Sequence, residues 1–201
     1  MDFWQYEKEA VDQGYAAVCG CDEAGAGPLA GPVYAAAVIL PFGEDIPGLD
    51  DSKKLTEKKR EMLFDVITEI AVAYSVQYAD AGIIDDINIK NATHLAMGNA
   101  VKALQVTPDF LIIDGSDRVP YPIPYEYIIK GDAKSQTIAA ASILAKVSRD
   151  RLMKELDKQY PQYNFAKHKG YGTQEHMQAI RTYGTCEIHR QSFMTDKVLG
   201  K

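Results

Sequence analysis

Cysteine, tryptophan and histidine are scarce in this chain: its 201 residues include three, one and four of them. Three cysteines cannot build a disulfide framework. Cys19 and Cys21 lie two apart, Cys186 stands alone, and none shows the C-x-x-C spacing of zinc or redox sites. Reduced thiols in a cytoplasmic protein are therefore expected. His94, His168, His176 and His189 show no H-E-x-x-H spacing. They read as surface or structural groups, with His168 and His189 as candidates for phosphate contact. Long apolar runs are missing too: the longest, Val33 to Pro41, is far too short to span a bilayer. The opening Met1-Asp2-Phe3-Trp4-Gln5-Tyr6-Glu7 lacks the basic start and apolar stretch of a signal peptide. Positive charge is in deficit, with 22 Lys and Arg against 28 Asp and Glu, a net charge of −6. That balance argues against a nucleic-acid partner unless bound cations offset it. Two divalent ions would bring about four positive charges.

What is present suits one α/β domain over residues 1–201, ending in a helical segment from about 161 to 201. With 46% hydrophobic residues the chain can fill one full core. Residues 15–22 and Val33 to Leu40 read as buried strands joined through a Gly/Pro turn. Thr56 can cap a helix whose Leu63, Val66, Ile67 and Ile70 share one face. Val72 to Tyr78 reads as a third strand. Asp86-Ile87-Asn88 opens a second helix with small core residues, and Pro108 follows as its stop. Phe110 to Ile113 reads as a buried, parallel strand, and Tyr125 to Ile129 as another. A long helix is expected from Gln136 to Tyr160, before Pro161. Alternating strands and helices predict a mixed sheet with helices on both faces.

Three strands end in acids: Asp22-Glu23, Asp114 and Asp132. Sites in α/β sheets form outside the carboxyl ends of strands, so the four carboxylates can converge. Adjacent carboxylates repel and call for positive charge, and two hard cations in such a cluster suit in-line phosphoryl chemistry. Asp114-Gly115 and Gly131-Asp132 are also ordinary turn dipeptides. Successive strand residues face opposite ways, so Glu23 joins Asp22 only if the strand ends or twists there. The basic groups Lys53-Lys54, Lys58-Lys59-Arg60, Lys167-His168-Lys169 and His189-Arg190 read individually as solvated faces.

The stretch Cys21 to Val33, with its core Asp22-Glu23-Ala24-Gly25-Ala26-Gly27-Pro28, resembles the signature of bacterial ribonuclease HII. So do Asp51-Ser52-Lys53-Lys54-Leu55, Ile87-Asn88-Ile89, Asp114-Gly115, Gly131-Asp132-Ala133-Lys134-Ser135 and Ala139 to Asp150. Lys169-Gly170-Tyr171-Gly172-Thr173 and His189-Arg190-Gln191-Ser192-Phe193 complete a collinear series from about residue 15 to 193. The resemblance implies a ribonuclease H-like fold with a five-stranded mixed sheet and a helical C-terminal part. It implies an endonuclease acting on RNA–DNA hybrids and on DNA duplexes with embedded ribonucleotides, cutting 5′ of the ribonucleotide and leaving 3′-hydroxyl and 5′-phosphate ends. Family metal ligands fall on Asp22, Glu23, Asp114 and Asp132, with Mg²⁺ or Mn²⁺ as cofactor; a monomer is expected. Tyr171 matches the tyrosine that stacks on a deoxyribose. An exposed aromatic between glycines, beside a cation, suits that packing. Lys53 and Lys54 are candidate phosphate contacts, as are Lys146 and Arg149, although helix pairing with acids is an equal reading for the last two.

One residue departs from the pattern. The family carries Gly-Arg-Gly or Gly-Lys-Gly where this chain has Gly25-Ala26-Gly27. In the family this turn reads the 2′-hydroxyl, the group separating RNA from DNA, and holds the adjacent phosphate. Alanine supplies no charged clamp. A metal-dependent hydrolase with weakened grip is the expectation. The alternative is a hybrid-binding variant whose catalysis is weakened or lost.

Overall fold

The computed structural model describes residues 2–116 and 121–201. Five strands form one mixed sheet: β1 (Val18–Ala24), β2 (Val33–Ile39), β3 (Ala73–Ala79), β4 (Phe110–Asp114) and β5 (Tyr125–Ile128), in the order β3-β2-β1-β4-β5. The pairs β1–β2 and β2–β3 are antiparallel, while β1–β4 and β4–β5 are parallel. The expected five-stranded mixed sheet is present. Residues 15–17 fall outside β1, where the Asp109 carboxylate accepts from the backbone N–H groups of Ala16 and Ala17 at 2.8 and 2.9 Å. The strand instead runs on through Asp22 and Glu23.

The helices are α1 (Gln5–Asp12), α2 (Glu57–Ile70), α3 (Ala81–Lys102), α4 (Gln136–Gln159), α5 (Phe165–His168), α6 (Gln174–Tyr183) and α7 (Asp196–Leu199). One face of the sheet packs on α4, backed by α2: Ala36 and Val38 meet Ala140, Ile143, Leu144, Leu63 and Ile67. The other face packs on α3, where Ala92, Ala96 and Ala100 meet Cys21, Val33, Ala35 and Ile113. Small residues let α4 approach closely. A Cβ placed on Gly20 of β1 would sit 2.4 Å from the Thr137 carbonyl carbon. As expected, Thr56 caps α2, its side chain accepting from Lys59 N–H at 3.3 Å, a contact worth about 1 kcal/mol.

The second helix differs from expectation. It starts at Ala81, capped by Asp80, and kinks at Asn88, where φ is 65°. Asn88 Oδ1 then accepts from Asn91 N–H at 3.1 Å, so the expected start at 86–88 is the cap of the second half. Helix α1, only eight residues long, was not expected. Tertiary bonds hold it: buried Glu7 Oε1 accepts from Ser135 Oγ at 2.6 Å and Thr137 N–H at 3.0 Å. Cys19, Cys21 and Cys186 are free thiols. Among the described residues, no helix is long and apolar enough to cross a membrane.

Candidate active site

Backbone register brings the acids together. Cys21 of β1 pairs with Ile113 of β4, so Asp22 and Asp114 are the next residues of two neighbouring parallel strands. Asp114 Oδ1 accepts from Gly131 N–H at 2.6 Å, which anchors the short 3-10 turn Gly131–Ala133 and with it Asp132. Glu23 follows Asp22 on β1, its N–H donating to Asp22 Oδ1 at 2.7 Å. Asp22 and Asp132 are buried.

Asp114 stands at the electrostatic centre of the group, acting on each of the other three acids. Burial, then repulsion from Glu23 and Asp114, raises the Asp22 carboxyl well above its ordinary range, against a favourable Ser142 hydroxyl. Burial and Asp114 raise Glu23, and burial, Asp114 and Asp51 raise Asp132. Such shifts mark a cluster short of positive charge. Among the described residues, no group of three or more His, Cys, Asp or Glu side chains is placed so that it could hold a metal ion as it stands. The donor set nonetheless fits a divalent cation: all oxygen, anionic and hard, the chemistry that Mg²⁺ and Mn²⁺ prefer.

The lysines part company. Lys53 Nζ lies 3.7 Å from Asp132 Oδ2. Burial opposes its charge, but Asp132, Asp22, Asp51 and Asp114 outweigh that and raise its pKa. Lys54 turns to Asp50 at 3.0 Å. Lys146 pairs with Asp150 at 2.7 Å, the helix-pairing reading. Asp51 and Ser142 are neighbours of the acid cluster that the strand-end pattern could not reveal, since neither ends a strand. Asp51 lies beside Asp132 and accepts from Lys53 N–H at 2.9 Å. Ser142 Oγ lies 3.0 Å from Ser52 Oγ, tying the lysine loop to α4.

The glycine turn sits on two fully buried guanidiniums. Arg190 donates from Nε to Gly31 O at 2.9 Å, from Nη1 to Ala26 O at 2.9 Å and from Nη2 to Gly25 O at 2.6 Å. Arg149 donates to Pro32 O, Ala30 O and Lys169 O at 2.9, 3.1 and 3.0 Å. Arg149 is therefore no phosphate contact. It is an internal brace, with its guanidinium carbon 6.0 Å from the centre of the Tyr171 ring. Gly25 has φ +92°, and a Cβ there would strike the Arg149 side chain at 2.0 Å; only glycine fits. Ala26 lines a cavity of about 300 Å³ with Glu23, Asp114, Ile89, Met97 and Tyr127. Tyr171 is exposed, and a Cβ on Gly27 would lie 3.8 Å from its ring. His168, His176 and His189 are buried, which agrees with the structural reading and sets aside the phosphate reading for His168 and His189. Their imidazoles bond to backbone and to one another.

The ribonuclease HII family model matches residues 19–196. The ribonuclease HII of Caldicellulosiruptor saccharolyticus is 53% identical over 193 residues, 96% of this chain and 94% of that protein. That of Acetivibrio thermocellus is 58% identical over 188 residues, 94% of this chain and 73% of its own. Among solved structures, ribonuclease H2 from Pyrococcus horikoshii OT3 aligns with a TM-score of 0.77 at 27% identity, over 92% of this chain and 98% of that one. The ribonuclease HIII named Bst-RNase HIII, solved in complex with Mn²⁺, shares the fold with a TM-score of 0.67 at 20% identity, over 94% of this chain and 71% of that one. With its ribonuclease H-like sheet, and with the family model matched almost end to end, this chain belongs to the ribonuclease HII family.

Proposed function

We propose that the chain hydrolyses the RNA strand of RNA–DNA hybrids and incises duplex DNA 5′ of embedded ribonucleotides, leaving 3′-hydroxyl and 5′-phosphate ends. It does so as a single catalytic domain, a cytoplasmic monomer, with two divalent ions. The observation that carries this reading is the gathering of Asp22, Glu23, Asp114 and Asp132 at the carboxyl ends of β1 and β4, beside the Gly25–Gly27 turn. These four side chains would hold Mg²⁺ or Mn²⁺. When bound, the ions supply Lewis acidity for water activation and for stabilising the leaving 3′-oxygen.

The chain's own residues do the rest. Lys53 adds a cation at the edge of the acid cluster, next to Asp132. Arg190 holds the carbonyls of Gly25 and Ala26 inward, which fixes the turn that meets the ribose 2′-hydroxyl. Tyr171, close to Gly27, offers a ring face to the neighbouring deoxyribose.

Ala26 leaves the phosphate beside this turn without a charged clamp. A charged hydrogen bond is worth roughly 1.5–3 kcal/mol, so Ala26→Arg should raise kcat/KM on a single-ribonucleotide duplex by about 10- to 100-fold. The cavity beside Ala26 has room for the longer side chain. No rise would refute the weakened-grip reading. The variant that binds hybrids without cutting them is separated by incubating a hybrid with Mg²⁺ or Mn²⁺: strand cleavage excludes it.

A further inference from the structure

His168, His176 and His189 surround the turn that carries Tyr171, with exposures of 9%, 0% and 1%. The rings of His168 and His176 stack at 4.5 Å, and Phe165 packs edge-on against His176. A neutral imidazole has two tautomers, and its partners decide between them. Here a backbone group of fixed role stands at each end, and Cys186 Sγ lies 3.1 Å from His189 Nδ1 as well. Cys186 N–H donates to His189 Nδ1 at 2.9 Å. That nitrogen is therefore bare, and the proton of a neutral His189 sits on Nε2. His189 Nε2 lies 3.1 Å from His176 Nε2, so His176 Nε2 accepts. The proton of His176 is then on Nδ1, which donates to Tyr171 O at 2.9 Å. His168 obeys the same logic, with Gly170 N–H donating to its Nδ1 at 3.2 Å and its Nε2–H donating to Tyr163 O at 2.7 Å. Loss of solvent pushes both His176 and His189 down to about 4, in keeping with neutral rings.

The turn needs such support. Lys169 and Gly170 both have positive φ, at 52° and 82°, and left-handed backbone at a lysine is strained. Tyr171 O also accepts from Thr173 N–H at 2.8 Å, so the histidine bond completes the carbonyl's two acceptor sites.

We propose that His176 is a positioning residue for substrate recognition. Its Nδ1–H is the last link of a one-directional relay from Cys186 N–H through His189, and it locks the backbone of Tyr171 so that the exposed ring is held ready for a sugar. This rests on the reading of Tyr171 as a substrate contact.

The test has two arms. Two-bond proton–nitrogen correlation spectra of ¹⁵N-histidine-labelled protein at pH 7 read the tautomers directly, without substrate. The expected result is a proton on Nδ1 of His176 and on Nε2 of both His189 and His168. A proton on Nε2 of His176, or a charged ring in the relay, overturns the proposal. In the second arm, His176→Phe keeps the ring volume and removes the hydrogen bonds, whereas His176→Asn returns an amide N–H near the Nδ1 position. On a single-ribonucleotide duplex, KM should rise roughly tenfold in the Phe variant with kcat within about twofold, and recover in the Asn variant. An unchanged KM in the Phe variant, or equal loss in both, contradicts the role. If the unsubstituted chain cleaves nothing, the proposed function fails while the tautomers still decide the relay.

Discussion

At the scale of single residues, the site is a region of stored repulsion. Asp22 is buried, its carboxyl is held well above its ordinary range by burial and by Glu23 and Asp114, and Ser142 offsets this only in part. Replacing a charged group with a neutral one of the same shape relieves the strain where no cation is present, and function is lost for stability gained. Asp22→Asn should therefore abolish turnover while raising the Tm of the metal-free protein by about 2–4 °C, the equivalent of about 1 kcal/mol in a chain of this size. Adding Mn²⁺ should stabilise the parent and leave the variant unmoved. Thermal melts with and without the ion check both statements, and a metal-free variant that melts lower than the parent would contradict them. Asp22 and Asp114 could be expected together because each lies at the carboxyl end of its strand; Asp132, expected to end a strand as well, stands instead in the 3-10 turn Gly131–Ala133, past the end of β5 at Ile128. Asp51 could not be expected, because a carboxylate in a loop shows its place only when tertiary structure sets it beside Asp132.

At the scale of elements, the glycine turn is held from the other end of the chain. Leu29 N–H donates to Gly170 O at 2.8 Å, Gly31 N–H to Ile188 O at 2.8 Å and Arg190 N–H to Leu29 O at 2.9 Å. Arg190 then occupies three carbonyls at once. Burial, with Arg149 nearby, drives its pKa down to about 9, yet its planar fork is what three divergent acceptors require. An ammonium cannot span them. Arg190→Lys should destabilise the protein by about 2–4 kcal/mol, read as a lower Tm, and should raise KM as the Gly25–Gly27 turn loosens. An unchanged Tm would show the clamp to be idle. The strands and α4 were readable from periodicity and from Pro161, since local patterning and tertiary packing agree there. The kink at Asn88 and the helix Gln5–Asp12 were not, because each depends on a cap or a bond that periodicity does not encode. Arg149, and His168 and His189 as phosphate contacts, were misplaced for the same reason: their burial is decided by elements far away in sequence.

At the scale of the whole molecule, the fold resolves the charge paradox of the chain. A net charge of −6 is unfavourable for a nucleic-acid partner, but part of it is concentrated in one cluster that divalent cations would neutralise, and two buried guanidiniums underlie the adjoining turn. The most direct test of the account is cleavage of three matched duplexes, one all DNA, one with a single ribonucleotide and one full RNA–DNA hybrid, by the parent and by Asp22→Asn, with Mn²⁺ or Mg²⁺ and with chelator. The account predicts cutting of both ribonucleotide-containing duplexes, 5′ of the ribonucleotide in the single-ribonucleotide case, only with the ion and only by the parent, leaving the DNA duplex intact. Cleavage in chelator, or by Asp22→Asn at the parent rate, would contradict it.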